Sequence, residues 1–202
     1  MTTTSAGLAD RLKLETREMH TAAERHPLHA ALFKGERPLA EFARLHAQTA
    51  LVQRAVEARV GSSPLLRPMR RDYHTRAEAM LRDAAAFGVG PHPADATRRM
   101  IDEIDRADEA TLLGLWYVLE GATNGGRFIA VALTRAHGAF TMPSLHPHGE
   151  QQGERWGAFR AGLESLALTA PQQDAVVAGA ARMFRHMVEL MDELAGAPAA
   201  SA

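Results

Sequence analysis

The segment Glu109–Gly138, EATLLGLWYVLEGATNGGRFIAVALTRAHG, constrains this chain more than any other stretch. Leu112, Leu115, Trp116, Leu119, Ile129 and Leu133 are too continuous for a one-faced surface helix, so this element is expected to be buried on most sides. Yet YVLEGATNGGRF carries Gly121, Gly125 and Gly126, each costing about 1 kcal/mol relative to alanine in a helix interior. Gly121 and Gly125 stand one turn apart on one helix face, and Gly126 widens the bare patch. Such a patch either packs tightly on another helix or opens room beside the backbone for a ligand. Thr123 and Asn124 favour the second, because polar residues clustered with glycine bend helices and free carbonyls that can hold an ordered water.

The rest of the chain is helical in pattern. Leu8, Leu12, Met19 and Ala23 form one apolar stripe, which Pro27 should interrupt. A helix starts in GERPLAEF, with Pro38 near its first turn, and runs to Gly61. SSPLLRP is expected to open another that ends near FGVGPHP, and Pro93 or Asp95 to begin a short one reaching about Asp105. After the loop GAFTMPSLHPHGEQQG come two helices, one with Trp156, Phe159 and Leu163, one with Met183, Phe184, Met187 and Leu190. No stretch alternates as a strand would. The reading is an all-α, single-domain chain over residues 1–202 with seven or eight helices, and with disordered tails at 1–7 and 196–202.

Composition removes several function classes. A net charge of -1 leaves no electrostatic footprint for nucleic acid or an anionic membrane. Without cysteine there is no disulfide, thiolate metal site or cysteine nucleophile. No signal peptide or membrane span is seen, so a cytoplasmic location is expected.

Ten histidines invite a metal reading, but none has Glu three residues before it, as a di-iron helix pair requires. His26, His29, His146 and His148 sit beside prolines and are expected to be solvated. His20 has a more informative context. Thr16, His20 and Glu24 are spaced by four, so Glu24 can fix one ring nitrogen of His20 and leave the other as a lone pair. That arrangement suits an axial haem ligand, and equally an ordinary surface His–Glu pair. Lys13 and Arg17 lie two turns and one turn earlier on overlapping faces.

Together, LKLETREMHTAAE and YVLEGATNGGRFI resemble the haem oxygenase family, whose first helix carries the proximal His and whose distal helix is glycine-rich. RWGAFRAGLESL and Phe184 resemble the family's later helices, so the likeness runs over roughly residues 8 to 190. The resemblance implies haem sandwiched between the first and distal helices, as both cofactor and substrate. O2 and electrons from a ferredoxin, a reductase or an ascorbate-like donor would open it to biliverdin, releasing iron and CO. A bilin-accepting photoreceptor is a possible recipient.

Carried onto this sequence, the resemblance makes His20 the ligand of haem iron and Glu24 its orienting partner. It places Gly121, Gly125, Gly126 and Asn124 in the catalytic wall. Lys13, Arg17, Tyr117 and Arg160 match positions near the propionates, and Phe184 the apolar wall. Ala122 stands where many members have Asp or Ser, and Asn124 where bacterial members usually have Leu. Those departures leave open a haem-binding protein of the same fold with lost or altered oxygenase activity.

Overall fold

The structure, a computed structural model, describes residues 7–196, so most of the two expected tails lies outside the described residues. The described residues form ten α-helices: α1 Leu8–Glu15, α2 Arg17–Glu24, α3 Pro27–Phe33, α4 Leu39–Ser62, α5 Ala77–Ala85, α6 Asp95–Arg106, α7 Glu109–Ala122, α8 Gly126–His137, α9 Gln152–Glu164 and α10 Ala170–Gly196. No strand occurs among them. The all-α expectation holds, with more helices than the seven or eight read from the sequence.

Two expected helices are each split, and local side chains do the splitting. Thr16 separates α1 from α2, its hydroxyl donating to the Leu12 carbonyl at 2.7 Å. At the glycine run, Thr123 Oγ1 donates to the Glu120 carbonyl at 2.7 Å, and Asn124 Nδ2 to the Gly121 carbonyl at 2.9 Å. Backbone bonds there tighten to the i→i+3 pattern, Thr123 to Glu120, Asn124 to Gly121 and Gly125 to Ala122. One long helix therefore becomes α7 and α8. SSPLLRP is also not the start of an α-helix: residues 67–69 and 72–74 form short 3-10 turns, and α5 begins at Ala77.

The centre of the molecule is α7 packed along α10. Leu112, Leu113, Leu115 and Trp116 are fully buried, each contributing on the order of 1.5–3 kcal/mol. Glycine sets the approach of the two helices. A Cβ on Gly114 would overlap the Val176 carbonyl of α10, and one on Gly179 would overlap the Thr111 carbonyl of α7. Val176, Ala180, Met183 and Phe184 of α10 belong to the same core as Tyr117 and Leu119 of α7 and Leu8 and Leu12 of α1. A second core joins α3, α4, α8 and the far end of α10 through Leu28, Leu32, Phe42, Leu133 and Leu190.

Carboxylates from distant elements hold the helix starts. Glu164 of α9 accepts from the Leu8 and Ala9 amides of α1 at 3.1 and 2.8 Å, tying α9 to the helix before His20. Glu193 of α10 does the same for α6 through Asp95 and Ala96.

Candidate functional site

His20 lies on α2, whose Met19 and Ala23 pack against the core while the imidazole faces out, 55% exposed. Glu24 Oε2 stands 3.5 Å from its Nδ1, which leaves Nε2 for another partner. Phe184 of α10 backs the ring edge-on, with centroids 5.6 Å apart. The structure thus brings His20, Glu24 and Phe184 together. Lys13 and Arg17 are exposed on the same stretch, and neither makes an ion pair among the described residues.

The glycine run divides by environment. A Cβ on Gly121 would meet only Trp156 Cη2 at 3.6 Å, and one on Gly125 only the Ala122 carbonyl at 3.6 Å, both ordinary contacts. Gly126 is buried, and a Cβ there would overlap the Leu145 carbonyl. The bare, accessible wall therefore narrows to Gly121 and Gly125, while Gly126 is small to admit the turn at residues 143–145. Ala122 presents its methyl to the surface. Asn124 is half-buried, held to the Gly121 carbonyl and to Gln152.

Tyr117 and Arg160 come together at the junction of α1, α7 and α9. Tyr117 is buried with its ring 5.4 Å from that of Trp156, and burial raises its hydroxyl pKa while the Arg160 charge opposes the rise. Arg160 itself pairs with Asp10 of α1 at 3.1 Å across a solvent-exposed edge.

Behind the wall sits a buried ion pair that the apolar periodicity of α7 hid. Arg76 Nη1 donates to both Glu120 carboxylate oxygens at 2.8 Å, and Trp116 Nε1 donates to Glu120 at 3.1 Å. Arg76 also reaches the Leu119 carbonyl and Gln53. Burial raises the Glu120 pKa against the opposing pull of Arg76. A lone Glu inside LLGLWYVLEG was the signal for it.

The histidines near prolines divide as well. His26 and His148 are buried, against the expectation of solvation. His26 Nδ1 accepts from the Leu28 amide as the N-cap of α3, and its Nε2 meets Asp192 at 3.1 Å. His148 packs edge-on to Tyr73, with Arg155 3.0 Å from its Nδ1. His29 and His146 are partly exposed.

A cleft of about 380 Å³ opens between α4, the 88–94 loop and the end of α10, lined by Arg44, Gln48, His92, Glu193 and Leu194 among others. It shares no residue with the His20 face or the glycine wall, so its size does not make it the site of the chemistry that those residues suit.

An exposed imidazole with a free nitrogen, orienting carboxylate and aromatic backing, together with a helix wall bare of side chains, defines a helical protein suited to a flat, metal-centred ligand. The family model described as Heme oxygenase matches residues 6–193, and the chain belongs to the haem oxygenase family. Among solved structures it is similar to the heme oxygenase of Leptospira interrogans, with a TM-score of 0.83, 21% identity, and 93% of this chain and 100% of that one covered. It is also similar to heme oxygenase-1 of Synechocystis in complex with heme (TM-score 0.82, 16% identity, 95% and 93% covered). The NO- and CO-bound heme oxygenase of Neisseria meningitidis gives a TM-score of 0.75 at 22% identity, with 98% and 96% covered. A TenA homologue from P. horikoshii shares the fold more distantly, at a TM-score of 0.63 and 12% identity, with 94% and 98% covered. Comparison with curated proteins finds no match. These likenesses establish the fold. Among the described residues no helix is long and apolar enough to cross a membrane.

Proposed function

We propose that this protein is a haem oxygenase, opening haem to biliverdin with release of iron and CO at the expense of O2 and electrons from an external donor. The observation that carries this reading is a pairing on one scaffold. The α2 imidazole backed by Glu24 and Phe184, and the α7 wall bare at Gly121 and Gly125, both ride on α10.

The donor set fits haem. His20 Nε2 is the nitrogen that would hold the iron, and Glu24, 3.5 Å from Nδ1, would orient the ring from the other side. Lys13 and Arg17 would meet the propionates directly, and Arg160 would exchange Asp10 for one of them beside the Tyr117 hydroxyl. Phe184 closes the apolar side of the imidazole. The Gly121 and Gly125 backbone lets the ring approach where a larger side chain would stand in the way. When bound, haem supplies the O2-binding iron and the ring that is itself cleaved. The neutral imidazole gives that iron none of the electron push of a thiolate. The expected setting is the cytoplasm, with a ferredoxin, a reductase or an ascorbate-like compound as donor and a bilin-accepting photoreceptor as a candidate recipient.

A second reading, a haem-binding protein with lost or altered oxygenase activity, is favoured by one feature. Ala122 brings no hydrogen-bonding side chain to the wall, and the amide of Asn124 is already committed to Gly121 and Gln152. Purified protein mixed with haemin and supplied with a reductase system or ascorbate under air distinguishes them. Decay of the Soret band with growth of bilin absorbance supports the enzyme; a persistent Soret band under turnover conditions supports the binding protein.

A further inference from the structure

The helix that carries His20 has little of its own to hold it. α2 is eight residues long and buries none of them fully; Met19 and Ala23 reach the core only in part. A helix so short and so little buried has low local stability. Its start continues from α1 through the Thr16 turn. Its end has a defect written into the sequence. The Ala23 carbonyl would accept from the amide four residues on, but that residue is Pro27, which has no N–H.

Two histidines of the next element repair this end, and their partners fix both tautomers. His29 of α3 places Nδ1 3.2 Å from the Ala23 carbonyl oxygen. A carbonyl only accepts, so Nδ1 carries the proton and donates. His26 stands at the corner, where its Nδ1 accepts from the Leu28 amide at 3.2 Å. The ring proton is therefore on Nε2, which donates to Asp192 of α10 at 3.1 Å. Leu28 and Leu32 seat α3 in the second core, so both bonds are mounted on an anchored element. One bond holds α2 one turn past His20. The other ties the same corner to α10, the helix whose Phe184 backs the His20 ring.

We infer that His26 and His29 form a clasp that fixes the end of α2 and presents His20 to the ligand in a single position. Both are positioning residues: they act through α2 and α10 and donate to protein groups. With the clasp in place the ligand helix is ordered before haem arrives; without it, binding must also supply that order. The inference rests on the haem reading above.

The test pairs amide hydrogen exchange of the haem-free protein with haemin affinity. His29→Leu removes the donor to Ala23. It should lower the protection of the α2 amides about three- to tenfold, the size of one lost hydrogen bond, and weaken haemin binding by a similar factor. Amides of α7 and α10 should change less. His29→Asn, whose amide can reach the Ala23 carbonyl in place of Nδ1, should recover both. His26→Asn keeps an acceptor to cap α3 but loses the donor to Asp192, and should repeat the losses. His29→Leu with wild-type α2 exchange overturns the inference, and so does lost α2 protection with unchanged haemin affinity. Protection lost evenly across α2, α7 and α10 makes the two histidines general stabilising contacts and also overturns it. If haemin gives the wild-type protein no Soret shift, the haem reading itself fails, while exchange in His29→Leu still decides whether the clasp exists.

Discussion

Arg76 and Glu120 form a bidentate ion pair sealed behind the wall, with side chains only 8% and 4% exposed. Glu120 also accepts from Trp116, and its backbone carbonyl holds Thr123, so the pair is continuous with the bend of the wall. Removing one partner leaves the other charge buried and alone. Arg76→Ala and Glu120→Ala should each destabilise the protein by about 3–5 kcal/mol, measured by denaturant unfolding. An Arg76→Met/Glu120→Leu double variant should cost much less than the sum, since no charge is then stranded.

The glycines should separate into two classes on substitution. Gly114→Ala and Gly179→Ala drive a methyl into the facing helix backbone and should cost about 1–3 kcal/mol or more by denaturant unfolding. Gly121→Ala and Gly125→Ala meet nothing closer than 3.6 Å and should leave stability unchanged or raise it by up to about 1 kcal/mol. Gly125→Leu should keep the fold and lose haem binding or turnover. Unchanged turnover would count against a ligand at this face.

Acid should weaken the fold over a defined window. Burial holds His46, His148 and His186 down to about 4 and His74 to about 3, against an ordinary 6.5. As pH falls below that ordinary value, the unfolded chain takes up protons that the folded protein refuses. Stability is therefore fully present above the unfolded pKa and falls steadily toward about pH 4, each group adding about 1.4 kcal/mol per pH unit to the slope. Denaturation midpoints measured from about pH 7 to about pH 5 should show this fall. His46→Gln, which can still reach the Ser144 hydroxyl, should flatten it.

Much of this was legible in sequence because it is local. The bounds of α4 and α6 followed from proline and aspartate at their starts, and the Thr16–His20–Glu24 spacing put His20 beside Glu24 without tertiary knowledge. What stayed hidden depends on partners far along the chain. Gly114 and Gly179 sit in no motif, and only the α7–α10 contact explains them. Gly125 and Gly126 are alike in sequence, and only the Leu145 carbonyl packed against Gly126 tells them apart. His26 and His148 read as loop histidines because nothing local announces Asp192 or Arg155 as partners. The α7–α8 break is a middle case. Its agents, Thr123 and Asn124, stand out as polar residues in the sequence, but apolar periodicity runs straight across a three-residue turn.

Glu24 should matter for the ligand and not for the fold. The His20–Glu24 pair is 3.5 Å long and well exposed, which makes its contribution to stability small. Glu24→Ala should leave the unfolding midpoint in place while weakening haem affinity by about 10–100-fold, the usual effect of losing the carboxylate that orients a metal-binding imidazole. Haemin titration followed at the Soret band, with thermal unfolding alongside, checks both halves.

The central claim is that His20 is the iron ligand, and haemin titration of the wild-type and His20→Ala proteins tests it most directly. The wild type should develop a shifted Soret band with one haem bound per chain, and His20→Ala should lose it or give the spectrum of a different ligation, restored by added imidazole. A His20→Ala protein that binds haemin with the wild-type Soret spectrum would contradict the account.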